Sequence, residues 1–235
     1  FKNVKFSYDE NKELIKNFSL DIKKGDKIAI VGPTGAGKTT LINILLHFYD
    51  INSGDITFDD VSINNIEKNS LRNNFAMVLQ ETWIFSGTIK ENIAYVKDDA
   101  SDEEIIRAAK LAHADTFIDR LPKGYDTFVS SKDGLSEGEK QMIAIARLFL
   151  LNPDVVILDE ATSSIDTRSE KLIGDAFDNI MENNTSIVIA HRLSTIQKSD
   201  IILVLKDGDV IEQGNHDYLM NKKGFYYSMY SSQFK

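Results

Sequence analysis

The chain has 235 residues, of which 42% are hydrophobic, enough for a real core in one large domain or two closely joined lobes. Its 27 Lys and Arg residues against 36 Asp and Glu residues give a net charge of −9, which argues against nonspecific binding to nucleic acid or to an anionic membrane surface. The absence of cysteine excludes a disulfide framework, a thiolate metal site and thiol catalysis.

The first third of the chain alternates apolar and polar residues, a period of two that predicts strands. The predicted strands cover 1–8, 18–22 and 27–31, with a turn over 24–26 before the last one. The chain begins at Phe1 without a methionine, inside the first strand, so we expect it to be cut from a longer polypeptide. No apolar run in the sequence approaches the roughly 18 residues needed to cross a bilayer.

The third strand runs into a loop that satisfies the pattern G-x-x-x-x-G-K-[ST] and precedes a predicted helix over 38–48. The loop and the helix start consist of Gly32, Pro33, Thr34, Gly35, Ala36, Gly37, Lys38, Thr39 and Thr40. The glycines let backbone N–H groups converge on phosphate oxygens, Lys38 adds a cation for the β and γ phosphates, and Thr39 offers a hydroxyl to Mg²⁺. The alternative is a plain glycine turn, and the strand-to-helix context weighs against it.

The middle of the chain changes to helical periodicity. Short strands are predicted over 55–58 and 75–79. Helices are predicted over 88–96, 103–113 and 115–120. We therefore predict a helical subdomain over about 81–151, inserted in a catalytic core lobe made of about 1–80 and 152–235.

One helix of this subdomain begins at the stretch Leu135-Ser136-Glu137-Gly138-Glu139-Lys140-Gln141, and we call it the signature helix. Ser136 is predicted to be its N-cap, and Glu139 three residues later completes a capping box. This arrangement aims a serine hydroxyl and free backbone N–H groups outward from the positive end of the helix dipole. Such a helix end attracts an anion.

The last third of the chain alternates strands and helices. Strands are predicted over 155–158, 186–190 and 201–205, with a helix over 167–181 between the first two. A sheet built in this way is largely parallel, with right-handed crossovers. The predicted fold is therefore α/β, a P-loop NTPase with a mostly parallel core sheet, an N-terminal antiparallel β-subdomain and the inserted helical subdomain.

Polar residues follow two of these strands. Asp159 and Glu160 stand at the carboxyl end of a predicted parallel strand, where such sheets bind ligands. We expect Asp159 to hold the hydration shell of Mg²⁺ and Glu160 to orient or deprotonate the attacking water as the general base. His191 ends the next strand, and if that strand lies beside the strand of Asp159, it can hydrogen-bond the γ-phosphate or that water. The alternatives are a solvated carboxylate pair and an ordinary strand-end histidine.

Two further strand ends carry candidate ligands. Gln80 could bring a neutral oxygen to Mg²⁺ or to the attacking water, although a glutamine at a strand end carries little information by itself. Tyr8 could stack on an adenine, and a half-buried strand residue is the commoner explanation for such an aromatic. His47, His113 and His216 lack metal-ligand spacing and are expected to be structural.

The motifs occur in one order over nearly the whole chain: the phosphate loop, Gln80, the signature helix, Asp159 with Glu160, and His191. This order resembles the nucleotide-binding domain of an ATP-binding cassette (ABC) transporter. Three shorter segments, 86–93, 121–127 and 190–196, resemble the exporters of multidrug and lipid type.

The resemblance implies that the ligands are ATP and Mg²⁺ and that two such domains pair head to tail. ATP on the phosphate loop of one domain would then meet Ser136 and Gly138 of the other. The resemblance also implies a transmembrane domain, expected in the same polypeptide, and a location on the cytoplasmic face of the cell membrane. Whether the pair is a homodimer or a heterodimer stays open.

The resemblance assigns roles to single residues as well. Tyr8 corresponds to the adenine-stacking aromatic, Gln80 to the loop that couples the nucleotide to the membrane domain, and His191 to the switch histidine. Asp166 corresponds to the loop that crosses the dimer. Two aromatic residues after Gln80, Trp83 and Phe85, are candidates for the contact with the membrane domain, against the alternative of core packing.

The chain departs from the family pattern in two places. The signature of the family reads L-S-G-G-Q, whereas this chain has Glu137 and Glu139 at the third and fifth positions. Glu139 is explained by the capping box, and we expect Glu137 to point sideways or to weaken closure, because a carboxylate aimed at a γ-phosphate repels it. The segment before the signature is also about one residue shorter than the family pattern.

Two other classes of function compete with the exporter prediction. An ABC-type ATPase that acts on nucleic acid or ribosomes would carry a long coiled-coil insertion, a second cassette or a basic surface, and the sequence contains none of them. A soluble kinase with a phosphate loop would leave Ser136 and His191 unexplained.

Overall fold

The structure is a computed structural model. It describes residues 1–9, 14–79, 82–130, 134–160 and 165–233, so the predicted ligand Gln80 lies outside the described residues. By the contacts among its residues the chain divides into two compact units, one made of 1–75 and 185–235 and the other of 76–184.

Strands and helices alternate along the described parts of the chain. The strands are β1 (Lys2–Phe6), β2 (Ile15–Phe18), β3 (Lys27–Val31), β4 (Ser53–Asp55), β5 (Thr57–Phe58), β6 (Val61–Ser62), β7 (Phe75–Val78), β8 (Gly87–Thr88), β9 (Phe128–Val129), β10 (Val155–Asp159), β11 (Thr185–Ile189), β12 (Ile201–Lys206) and β13 (Asp209–Gly214). The helices are α1 (Lys38–Leu45), α2 (Lys68–Arg72), α3 (Ile89–Ala94), α4 (Asp102–Leu111), α5 (Asp115–Ile118), α6 (Glu137–Leu151), α7 (Thr167–Asn183), α8 (Leu193–Lys198), α9 (His216–Lys222) and α10 (Phe225–Gln233). Short 3₁₀ turns cover Ile63–Asn65 and Gly124–Asp126.

A parallel sheet forms the centre of the first unit. Strand β3 lies between β11 and β12, and both neighbours run parallel to it. Strand β13 pairs antiparallel with β12 at the edge. The three parallel strands are mostly apolar and buried, as expected for strands covered on both faces. The predicted α/β class with a mostly parallel sheet is therefore confirmed.

A separate antiparallel sheet is also part of the first unit. Strand β1 lies between β2 and β4 and pairs antiparallel with both. Its side chains alternate as the sequence predicts, with Val4 and Phe6 buried and Asn3 and Lys5 exposed. The second strand lies at Ile15–Phe18, earlier in the chain than the predicted range 18–22.

Two element boundaries in this unit differ from the prediction for local reasons. Helix α1 ends at Leu45 instead of continuing to residue 48, and His47 has a left-handed φ of 54°, which a continuing helix cannot contain. The strand predicted over 55–58 is divided between β4 and β5. Strand β5 forms a hairpin with β6 across Asp59 and Asp60, both at positive φ, as tight hairpin turns require.

The second unit is built around α6, which packs against α3, α4 and α7. Strand β10 lies beside β7, and the short strands β8 and β9 pair antiparallel. The predicted helical subdomain, about 81–151, falls inside this unit, which also contains β10 and α7. Its proposed boundaries stay a prediction.

Side-chain caps explain where three helices of this unit begin. Capping boxes join Thr88 to Glu91 at α3, Ser101 to Glu104 at α4, and Ser136 to Glu139 at α6. At its other end α6 stops at Asn152, whose φ of 48° closes the helix before Pro153. Among the helices of the described residues, none is both long enough and apolar enough to span a bilayer.

Candidate nucleotide site

The phosphate loop joins β3 to α1 with its glycines in conformations that suit them. Gly35 and Gly37 have φ values of 79° and 97°, in the left-handed region. A Cβ on Gly32 would collide with the carbonyl oxygen of Leu205, so the loop can pass β12 only with glycine there. Around Gly35 a Cβ would meet no heavy atom within 4 Å, so the backbone at this residue is open to a ligand.

The Lys38 side chain folds back over this loop. Its ammonium donates hydrogen bonds to the carbonyl oxygens of Gly32 (2.8 Å) and Pro33 (3.1 Å). Helix α1 starts at the same residue after Gly37, with no acidic residue in its first turn. The loop therefore combines a cation with a helix N-terminus, the two features that favour a phosphate.

Tyr8 stands close to the start of α1. Its hydroxyl donates to Oγ1 of Thr40 at 3.1 Å, and its ring packs edge-on against Phe6 and Tyr49, with centroids 4.9 and 5.1 Å away. The side chain is 55% exposed. The structure thus brings Tyr8 to the phosphate-loop helix and leaves much of its surface open, so it is not a half-buried strand residue.

His191 leaves the parallel sheet at the same edge as the phosphate loop. The register pairs Ile189 of β11 with Ile30 of β3, and the backbone N–H of Ala190 donates to the carbonyl of Ile30 at 3.1 Å. Two residues after these partners come His191 and Gly32. Because parallel strands end at a common edge, His191 and the start of the loop lie level with each other in this unit.

Asp159 and Glu160 lie in the second unit. Asp159 is the last residue of β10, whose other four residues are buried, and Glu160 is only 1% exposed. Among the described residues, the buried oxygen Oδ1 of Asp159 has no hydrogen-bond partner. An unsatisfied buried carboxylate oxygen is costly, so this atom fits a position that takes a cation or a water bound to one. A carboxylate oxygen of this kind suits the oxygen preference of Mg²⁺.

The signature helix, α6, begins with the predicted capping box. The carboxylate of Glu139 accepts from the backbone N–H of Ser136 (2.8 Å) and from its hydroxyl (2.9 Å). The Ser136 hydroxyl in turn accepts from the backbone N–H of Glu139 at 3.3 Å. Glu137 accepts from the ammonium of Lys140 at 2.7 Å, so its charge is paired with a cation of the same helix.

Gly138 allows α6 to approach the start of α7. A Cβ on this buried residue would lie 2.7 Å from the Cβ of Ser169 and 3.2 Å from a methyl carbon of Ile165. Helix α7 is capped by Asp166, which accepts from the backbone N–H groups of Arg168 and Ser169. The hydrogen bond from Ser169 lowers the pKa of Asp166, so this carboxylate is held in its charged form. Ser136, Gly138 and the Asp166 cap therefore belong to one packed arrangement of two helix starts.

Sequence reasoning missed a buried polar cluster centred on Arg147 of α6. The guanidinium donates to the carbonyls of Asn92 (2.7 Å) and Trp83 (2.9 Å) and to the Asn92 side-chain oxygen (3.1 Å). Burial lowers the pKa of Arg147 to about 10. The fully buried side chain of Asn92 accepts a hydrogen bond from the backbone N–H of Phe85 and donates one to its carbonyl. The available signal was a single cation inside the apolar run of α6.

Three aromatic rings lie over this cluster, those of Trp83, Phe85 and Tyr95, and we call them the aromatic surface. Each pair of ring centroids is 5.6 Å apart. Trp83 is 56% exposed and Tyr95 60%, so simple core packing does not account for them. Because Arg147 and Asn92 hold the backbone beneath, the aromatic surface is fixed to α6.

Comparison with known proteins gives consistent matches. The family described as ABC transporter matches residues 15–163. The chain is 50% identical over its full length to "Uncharacterized ABC transporter ATP-binding protein YfiC" of Bacillus subtilis (strain 168), of which it covers 39%. It is 51% identical, over 97% of its length, to "Fatty acid ABC transporter ATP-binding/permease protein" of Mycobacterium tuberculosis (strain CDC 1551 / Oshkosh), of which it covers 36%.

A solved structure shows the same fold over the whole chain. The structure of a bacterial Atm1-family ABC exporter with ATP bound superposes with a TM-score of 0.90 and 44% identity, and it covers 100% of this chain and 41% of that one. The chain thus spans well under half of the length of the proteins it matches. The match of the family over most of the chain, together with the phosphate loop and the capped signature helix, shows that the chain belongs to the ABC transporter family, as its ATP-binding domain.

Proposed function

We propose that the chain is the ATP-driven motor of a membrane exporter, in which two such domains close head to tail on ATP and reopen after hydrolysis. The observation that carries the proposal is the pair of anion-favouring elements in one chain, the phosphate loop and the capped start of α6. The loop suits the chain's own nucleotide. The helix start suits the nucleotide of a second domain, as the resemblance to the family implies.

The first step is the binding of ATP by the phosphate loop. Backbone N–H groups of residues 34–37 and of the start of α1 surround the phosphates, while Lys38 exchanges its bonds to loop carbonyls for bonds to the β and γ phosphates. Tyr8 offers its exposed ring to the adenine. Thr39, Asp159 and Gln80 are the proposed ligands of Mg²⁺, which when bound neutralises charge on the phosphates. Thr40 keeps Tyr8 in place through its hydroxyl.

Hydrolysis is assigned to carboxylate and imidazole chemistry. Domains of this family are ATPases, and Glu160 is proposed to take the proton of the attacking water as general base. Its position at the end of a buried strand gives it a fixed orientation. His191 is proposed to hydrogen-bond the γ-phosphate or that water, in line with its place at the edge of the sheet where the phosphate loop begins.

The nucleotide of one domain is proposed to reach Ser136 and Gly138 of the partner domain. Such a composite site makes closure depend on ATP, because one chain supplies only half of the contacts. The partner is a second nucleotide-binding domain, either another copy or a related chain.

The aromatic surface is proposed as the contact with the transmembrane domain. Trp83 and Phe85 follow Gln80 closely in the sequence, and the rings of Trp83 and Tyr95 are exposed. Arg147 ties the backbone of Trp83 to α6. A movement of the membrane domain at this surface would therefore reach the helix that carries Ser136. We therefore propose that the chain lies at the cytoplasmic face of the cell membrane, and the relatives named as ATP-binding/permease protein and as exporter support a membrane location.

The substitution Glu160→Gln tests the catalytic part of this proposal. The amide cannot accept the proton of the attacking water, so we expect ATP turnover to fall by about 100-fold or more while ATP binding is retained. Because ATP is no longer consumed, closed pairs should accumulate in sedimentation experiments with ATP and not with ADP.

A matched control is Glu103→Gln, which changes the same side chain at an exposed position of α4 and should leave turnover unaltered. Undiminished turnover in the Glu160 variant would refute the assignment of the base.

A further inference from the structure

The carboxylate of Glu139 binds Ser136, the N-cap residue of the signature helix. One of its oxygens, Oε2, accepts both the backbone N–H and the hydroxyl of Ser136. The hydroxyl hydrogen can point at only one acceptor at a time. The Ser136 hydroxyl can therefore donate a hydrogen bond to an incoming phosphate only after its hydrogen bond to Glu139 is broken.

The two acidic residues of the first turn differ in their charge partners. Glu137 is paired with Lys140, whose side chain is only 17% exposed. Glu139 has no cation within salt-bridge distance in the described part of the chain, and its bonds are all to Ser136. It is therefore a negative charge at the positive helix end, held about where the proposed function brings a second negative charge, the γ-phosphate.

We propose that Glu139 is a positioning residue that restrains the Ser136 hydroxyl and competes with the partner's nucleotide, and that it thereby sets the ATP concentration at which two domains close. The proposal rests on the proposed function, since it requires that Ser136 meets the nucleotide of a second domain. It assigns to one carboxylate the regulation of that composite site: closure needs more ATP than it would with a neutral side chain at the same position.

The substitution Glu139→Gln separates the charge from the cap. Glutamine serves in a capping box as glutamate does, so the helix start is retained, while the side chain loses its charge and becomes a weaker acceptor for the hydroxyl. The measurement is the ATP concentration that gives half of the closed pairs, in chains that also carry Glu160→Gln so that ATP persists. We expect this concentration to fall by about threefold to tenfold, the effect of one charge near a phosphate at a protein surface. The difference should shrink as salt is added.

The chain supplies its own matched controls. Glu91 and Glu104 close capping boxes of the same geometry on α3 and α4. Glu91→Gln therefore removes the same charge from the same local structure, whereas Glu104→Gln removes a charge that is also paired with Lys97. Neither should change the ATP requirement. The midpoint of thermal unfolding should fall in Glu139→Gln by no more than it falls in Glu91→Gln, which loses the same charge from a helix start. The affinity for ADP should equal that of the parent, because the chain's own loop determines it.

The outcomes distinguish this inference from the function on which it rests. If the parent closes with ATP and Glu139→Gln needs as much ATP or more, the role of Glu139 is refuted and the composite site stands. If all three glutamine variants lower the ATP requirement alike, the effect is one of overall charge and the inference is again refuted. If the parent chain forms no pairs with ATP, the head-to-tail proposal itself fails.

Discussion

At the scale of single residues, Tyr8 shows how one side chain can be fixed at one end and open at the other. Its hydroxyl is bonded to Thr40 at the start of α1, and its ring is more than half exposed. The bond restricts the ring without covering it. These are the properties that a platform for a flat base requires, because stacking gains most when the ring is already in place.

The substitutions Tyr8→Ala and Tyr8→Phe distinguish the contribution of the ring from that of the hydroxyl. Loss of the ring should raise the KM for ATP by about tenfold, the usual effect of removing one base-stacking aromatic, with kcat little changed. Tyr8→Phe loses only the bond to Thr40, so we expect a KM within about threefold of the parent. Steady-state ATPase kinetics check both values. An equal rise of the KM for ATP in the two variants would show that the hydroxyl of Tyr8, and not its ring, supports ATP binding.

The sequence alone could predict the phosphate loop and the capping boxes, because each depends on residues close together in the chain. It could not predict the Tyr8 bond to Thr40 or the Arg147 bond to Trp83, which join residues 32 and 64 positions apart. Periodicity describes which face of an element is buried and contains no information about which distant polar groups meet. The pairing of Glu137 with Lys140 is local, and its spacing of three on a helix was the signal that could have found it.

At the scale of elements, the close approach of α6 and α7 gives Gly138 a structural reason besides its proposed place at the nucleotide. A helical glycine exposed to solvent would be improved by alanine, which is the better helix former by about 1 kcal/mol. Here the added methyl group would lie 2.7 Å from the Cβ of Ser169. The steric cost therefore opposes the gain in propensity.

We expect Gly138→Ala to lower the free energy of unfolding by about 1–3 kcal/mol, the usual cost of overpacking. Ser169→Gly removes the opposing Cβ, so the double variant should be more stable than the sum of the single effects predicts, by about 1 kcal/mol or more. Urea unfolding of the four chains provides the cycle. If the changes in the free energy of unfolding simply add, the Cβ of Ser169 does not limit the size of the residue at position 138.

The boundaries of elements illustrate a second limit of sequence reasoning. The apolar spacing over 38–48 predicts a helix that runs to its end, yet α1 stops at Leu45 and Phe48 is 51% exposed. The Phe48 ring instead lies under the guanidinium of Arg72, and its centroid is 4.4 Å from the guanidinium carbon Cζ. Phe48 therefore follows the apolar spacing of the helix in the sequence, although it lies beyond the end of α1 and packs against Arg72.

At the scale of the whole molecule, the proposed pairing makes each active site depend on two chains. Each chain carries a phosphate loop and a signature helix, and the proposed head-to-tail pair joins the loop of one to the helix of the other. A pair of chains with different defects can then complement each other. Two variants serve this purpose: Lys38→Ala disables the loop, and Ser136→Asp puts a carboxylate at the γ-phosphate while keeping a good helix N-cap.

The most direct measurement is the ATPase activity of these two variants, alone and mixed in equal amounts. Each variant alone should be nearly inactive, because every site it forms lacks one half. In the mixture half of the pairs are mixed, and one of their two sites is intact, so we expect about a quarter of the parent activity for random pairing. A mixture that is no more active than the average of the two variants would contradict the composite site and, with it, the head-to-tail pairing of the two domains.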